Sequence, residues 1–183
     1  MARKILPPVR LLRKLFAYDP VTGELCHKAR PRSMFRNQRT FLAWNKRYAG
    51  KVTGTPSPAY LIVRVRGETF CVHRVAFKIH YGSEPPELDH INRNQTDNRL
   101  INIRVATRSQ NMMNRAVRND SRTGIRGVSL RGASRYLARI CVEGYSYYLG
   151  YFATAAEAKT AREAAEARLH GEFAAQLSDT ERP

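Results

Sequence analysis

The stretch ELDHINRNQTDNRLINIRVATRSQN, residues 87–111, concentrates the residue types able to do chemistry. Asp89 and His90 set a carboxylate beside an imidazole, and an imidazole can give or take a proton near neutral pH. Leu88-Asp89-His90 predicts a strand end, the loop to Leu100 is rich in Asn, Asp and Arg, and Ile101–Ala106 predicts a returning strand. Thr107, with Gln110 three residues on, has the form of a capping box and opens a helix with Asn111 in its first turns. A strand–loop–strand packed on a helix brings Asp89, His90 and Asn111 together. The plainer alternative is an incidental Asp-His pair beside a loop that satisfies its own backbone through Asx-turns. Helix placement and charge, taken together, favour a site.

The elements that must position this stretch follow from hydrophobic periodicity. Val9–Tyr18 predicts a short amphipathic helix stopped by Asp19-Pro20. Thr22-Gly23 predicts a turn into a brief strand at Glu24–His27. Tyr60–Val72 alternates apolar and polar residues around a Gly67-Glu68 turn, a hairpin leading into a helix at His73–Tyr81 that Gly82 and Pro85-Pro86 close. His73 is expected to cap or pack at that helix start. After a polar linker at 116–124, three strands are expected at Ile125–Leu130, Tyr136–Val142 and Ser146–Phe152, then an alanine-rich helix from Ala155 to His170, ending at Gly171.

The 183 residues carry 32 Lys and Arg against 15 Asp and Glu, a net charge of +17. Excess of that size points to a polyanionic partner, because basic side chains release condensed counterions from nucleic-acid phosphates. The charge concentrates in residues 1–72, with fifteen basic and three acidic residues. Lys28–Lys51 has eight basic residues and no acid, interleaved with Phe35, Phe41, Trp44 and Tyr48. It reads equally as a helix with inward aromatics and as a phosphate-tracking arm. Cys26, Cys71 and Cys141 include no CxxC pair, which argues against a zinc knuckle and a disulfide framework. No apolar run has membrane-spanning length, so a soluble, cytoplasmic setting is expected.

Asp89-His90-Ile91-Asn92, Asp97-Asn98-Arg99, Asn102 and Thr107-x-x-x-Asn111 resemble the HNH motif of phage-type homing endonucleases, a family that folds this unit as a ββα-metal finger. The Trp44–Lys51 and His73–Ala76 runs extend the likeness over roughly residues 18–115. The resemblance implies that His90 is the general base. It implies that Asp89 and Asn111 hold one Mg²⁺ (or Mn²⁺) through oxygen, and that Asn102 ties the loop and orients the His90 region. Asp97 and Asn98 are read as loop-structuring.

Arg126-Gly127-Val128, Tyr148–Phe152 and the helix from Ala155 resemble the DNA-binding domain of plant ethylene-response factors, a three-stranded antiparallel sheet backed by one helix. That likeness implies DNA contact by Arg126, Arg131 and Tyr148, and strand alternation adds Arg139. Arg47, Lys51 and Arg74 are further candidates for DNA contact. Val128, Leu130, Ala138, Ile140, Leu149 and Phe152 are expected in the core, facing a helical stripe of Ala158, Ala161, Ala165 and Leu169.

The expected architecture is α+β. A basic N-terminal region (1–72) precedes an HNH unit (73–115), a linker (116–124), a sheet-plus-helix DNA-binding domain (125–173) and a tail (174–183). The expected activity is metal-dependent hydrolysis of double-stranded DNA, in the host cytoplasm if the chain is phage-encoded. Two rival classes are a regulator with a degenerate HNH unit and an RNA-binding protein of ribosomal type.

Overall fold

A computed structural model describes residues 4–115, 117 and 121–170. Part of the expected linker, Gly171 and the expected tail lie outside them. The chain divides into two compact units, one of Met1–His90 with Asn94–Arg104, the other of Ile91–Arg93 with the chain from Val105 onward. The division thus falls inside the 87–111 stretch, earlier than the expected linker.

In the first unit, helix α1 covers Val9–Leu15 and buries Leu12 and Leu15. It ends before the expected Tyr18, because Phe16–Tyr18 turns extended as strand β1 and pairs antiparallel with β2, Leu25–His27. Aromatic residues suit a pleated, half-buried surface, and the partner strand decides between helix and sheet. The connecting turn is closed by Gly23 N donating to Asp19 O (2.9 Å) and Val21 N to Asp19 Oδ1 (2.8 Å). Strand β3, Val52–Thr53, completes this sheet.

Between β2 and β3 lies helix α2, Gln38–Tyr48, capped by the Asn37 side chain. Phe41, Trp44, Asn45 and Tyr48 form its inner row, and Trp44 and Tyr48 stack edge-on against His27. The aromatics therefore pack inward while Arg39, Lys46 and Arg47 stay exposed.

A second three-stranded sheet joins β4 (Thr55–Pro56), β5 (Leu61–Val65) and β6 (Glu68–Cys71). The hairpin turns one residue earlier than expected, at Arg66-Gly67. Both take positive φ (51° and 84°), the two-residue turn whose twist matches that of the strands. Helix α3, Val72–Tyr81, begins directly after β6 and stops at left-handed Gly82. Its inner face joins α1, β1, β2, β5 and β6 in a core of Leu12, Phe16, Leu25, Val63, Val65, Val72 and Val75, among others. Each fully buried large apolar side chain there contributes about 1.5–3 kcal/mol.

Strand β7, Glu87–His90, and strand β8, Ile103–Ala106, form a two-stranded sheet. A turn of 3₁₀ helix at Leu100–Asn102 shortens β8 relative to expectation. Helix α4, Arg108–Met113, follows with the predicted capping box between Thr107 and Gln110.

In the second unit, β9 (Val128–Arg131), β10 (Arg135–Val142) and β11 (Tyr145–Phe152) form an antiparallel sheet in the order β11-β10-β9. Helix α5, Ala155–His170, packs on it. Val128, Ala138 and Ile140 are buried and Leu149 and Phe152 half-buried, but Leu130 is exposed. The small-residue stripe also serves a purpose that its apolar reading misses. Arg162, 4% exposed, sits between Ala158 and Ala165, ion-paired with Glu166 (3.1 Å). Gly127, at φ 68°, makes room for it, since a Cβ there would lie 2.4 Å from Arg139 O and 2.6 Å from Arg162 Nε.

Gly127→Ala is expected to destabilise the chain by about 2 kcal/mol or more, from left-handed strain plus that clash. Gly144→Ala, with φ 88° but nothing within 4 Å, carries only the strain of about 1 kcal/mol. Urea unfolding of both variants checks the difference, and equal losses would show that the crowding at Gly127 is relieved without cost.

Candidate active site

Leu88 packs with Phe77 and Ile103, and Asp89 and His90, buried like it, end the strand, each 5% exposed. A carboxylate so buried needs a partner to offset lost hydration. Arg104 on β8 supplies it, with Nε 2.9 Å and a terminal nitrogen 2.7 Å from Asp89 Oδ2.

His90 lies in an aromatic corner. The His73 ring meets it edge-on at 4.8 Å, Tyr60 lies 6.2 Å away, and Tyr60 and His73 are 5.1 Å apart. Asn98 Oδ1 is 3.5 Å from His90 Nε2. Burial holds the His90 pKa below the usual histidine value, opposed by Asn98 and the charges of Asp89 and Asp97. His73 is pushed further down, to about 3, by burial first and then by His90 and Arg74. Both rings are therefore neutral at physiological pH, the form able to accept a proton.

Asn102 is buried and its amide donates to Asp97 O at 2.8 Å, so it ties the loop. Asp97 pairs with Arg99 at 2.7 Å. Asn111 lies on α4, in the second unit. There Asn114, absent from the sequence reading, caps the end of α4 and donates to Ile91 O at 3.3 Å.

The predicted DNA contacts divide. Arg139 is exposed and pairs in register with Tyr148, which is 71% exposed, and Arg131 is exposed at the end of β9. Arg126 is drawn inward instead, to Met112 O (2.9 Å) and Glu166 (3.4 Å). Arg74 likewise holds Glu84 (3.3 Å) and Pro85 O (2.9 Å). Arg47 lies over the Tyr48 ring at 5.3 Å, and Lys51 is exposed.

Among the described residues, no three His, Cys, Asp or Glu side chains converge to hold a metal ion, and Cys26, Cys71 and Cys141 are thiols. The donor chemistry at the end of β7, the Asp89 carboxylate without thiolates, does not suit a zinc cage. It suits a hard cation that keeps most of its water and takes one or two carboxylates. No helix among the described residues is long and apolar enough to cross a membrane.

Residues 70–113 match a family model described as HNH endonuclease, which supports a nuclease with a DNA substrate. No curated protein and no solved structure matches the chain. The matched segment runs from the end of β6 through α4 and so includes His73, Asp89, His90, Asn98, Asn102, Arg104 and Asn111. Sequence reasoning passed over Arg104, and it read Asn98 as loop-structuring and His73 as a residue that caps or packs at its helix start. The available signals were an arginine inside a strand paired with the one bearing Asp89, and a histidine on an otherwise apolar helix face.

Neutral His73 makes stability pH-dependent. The unfolded chain takes up that proton near pH 6.5, the folded chain not until about pH 3. Its contribution is complete above pH 6.5 and falls as the pH drops through that window. The urea midpoint of the wild type is expected to decline between pH 7 and pH 4.5, with a shallower decline in His73→Phe. Parallel slopes would assign the acid sensitivity to other groups.

Proposed function

We propose that the chain is a metal-dependent DNA endonuclease of the phage homing type, hydrolysing phosphodiester bonds with His90 as general base. The observation that carries this reading is the buried Asp89-His90 pair at the end of β7, inside the segment that matches the HNH endonuclease model. Asp89 is a proposed oxygen ligand of one Mg²⁺ or Mn²⁺, and the resemblance to the HNH motif gives Asn111 the same role. Arg104 engages Asp89 through Oδ2, and a ligand bound through one carboxylate oxygen is compatible with that pairing. When bound, the cation supplies charge stabilisation to the phosphate and the departing oxygen.

His90 takes a proton from water, whose oxygen forms a bond to phosphorus. The bond from phosphorus to the 3′ oxygen breaks with its electron pair on that oxygen, which is then protonated by solvent. The products are a 5′-phosphate and a 3′-hydroxyl. Burial keeps His90 neutral and ready for the first transfer. Asn102 keeps the loop between β7 and β8 closed through Asp97.

Binding falls to the basic N-terminal region and to the ethylene-response-factor-like sheet of β9–β11. Arg131, Arg139 and Tyr148 face outward there, and guanidinium groups suit both guanine edges and phosphates. Arg47 and Lys51 join them from the first unit. Arg126 and Arg74, engaged within their own units, have structural roles in this reading.

Supercoiled plasmid with Mg²⁺ or Mn²⁺ tests the proposal. Wild type is expected to convert it to nicked or linear form, chelator to stop conversion, and His90→Ala to slow it by about a hundredfold or more. Equal rates in wild type and variant would remove His90 from the chemistry. Binding without conversion by the wild type, across plasmids carrying many sequences, would favour a DNA-binding regulator.

A further inference from the structure

Residues 25–67 contain no Asp or Glu, so the eight basic residues of Lys28–Lys51 have no acidic neighbour within that stretch. Seven of them are exposed, and Arg30 alone is half-buried. Its backbone is pinned from both sides. Arg30 N donates to Asn45 Oδ1 and Asn45 Nδ2 donates to Arg30 O, each at 2.9 Å. Pro31 follows, which keeps Arg30 out of the helical region. The guanidinium carbon lies over the Trp44 ring, 3.9 Å from its centre. That ring is braced in turn by Tyr48, His27 and Phe35 at 5.3, 5.4 and 6.0 Å.

This placement carries a cost. Burial lowers the Arg30 pKa, and no carboxylate opposes it. Nε is enclosed without a hydrogen-bond partner among the described residues, and no ion pair engages the group there. A methionine would cover the indole and leave no buried donor unmet. Stability alone therefore does not account for arginine here. What the stacking preserves is the guanidinium edge. Its donors point outward in the plane of the group, so an indole on one face leaves the terminal N–H groups able to grip two oxygens of one phosphate.

We propose that Arg30, held by Trp44 and Asn45, is a built anchor for one phosphate of a DNA backbone. The exposed basic residues of the same stretch supply diffuse attraction. Arg30 fixes where the strand is held, because a side chain already in place loses little freedom on binding. The proposal rests on the reading of DNA as the partner and is independent of cleavage.

Trp44 is the chain's only tryptophan, so its emission reports on this place alone. The test uses the full, metal-free chain and a duplex of mixed sequence. Anisotropy of the labelled duplex measures binding, and Trp44 emission with the unlabelled duplex measures occupancy of the anchor. In the wild type the two are expected to follow one curve. Arg30→Met is expected to keep the urea midpoint, weaken binding about tenfold, and lower the slope of log affinity against log salt by about one. Arg30→Lys keeps the charge without the fork, and its affinity should fall between the two.

Trp44 emission that stays constant while the duplex binds overturns the proposal, even if inorganic phosphate shifts it. Wild-type affinity in Arg30→Met or Arg30→Lys also overturns it. Should the methionine variant fail to fold, wild-type emission and Arg30→Lys still decide. A duplex that does not bind at all overturns the proposal together with the nuclease reading. A Trp44 response in a chain that never cleaves overturns the nuclease reading alone.

Discussion

The carboxylate of Asp89 is the constraint around which the first unit's candidate site is arranged. Taking an ionised carboxylate out of water costs several kcal/mol unless a cation of good geometry meets it. Arg104 meets it from the paired strand, with two nitrogens on one oxygen. Truncating Arg104 would leave a buried charge with its principal counter-charge removed, the costly case. The pair thus fixes β7 against β8, and with β7 the backbone that carries His90. Neutral His90 and His73, and the asparagine facing His90, lie in the same buried corner, so burial that is expensive for the acid is what keeps both imidazoles unprotonated.

The second unit meets the same problem with a different solution. Its helix α5 is rich in alanine, which allows close approach to the β9–β11 sheet, and the space so made is filled by the stem and head of Arg162. Glu166 is shared among Arg126, Arg162 and His170, and His170 reaches Cys141 O at 3.2 Å. An internal charge network thus reinforces a small apolar core of Val128, Ala138 and Ala158. With Arg126 engaged inside, Arg131, Arg139 and Tyr148 remain exposed on the sheet.

Local signals were legible in the sequence because they depend only on neighbours. The Thr107–Gln110 capping box, the span of α5, the Gly82 stop and the Asp89-His90 strand end are all encoded within a few residues. What escaped depends on contacts distant along the chain. Phe16–Tyr18 left the helix because Leu25–His27 offered a strand partner. Asn98 read as a loop residue because the hydroxyl that holds its carbonyl, that of Tyr18, lies 80 positions away. Arg162 was invisible within an alanine stripe, since periodicity counts apolar residues and assigns an arginine to solvent. The contact of Arg126 with Glu166, 40 residues on, was likewise beyond the reach of local pattern.

The central claim is that the Asp89-His90 strand end is where a divalent cation joins the chain's own base. Titrating Mn²⁺ into the nitrogen-15-labelled chain tests it without requiring the DNA target, because the paramagnetic ion broadens signals near its site. The backbone signals of Asp89 and His90 are expected to broaden first, and Asp89→Asn to abolish this selectivity. Selective broadening centred elsewhere, or none at Asp89 and His90 at concentrations that support cleavage, would contradict it.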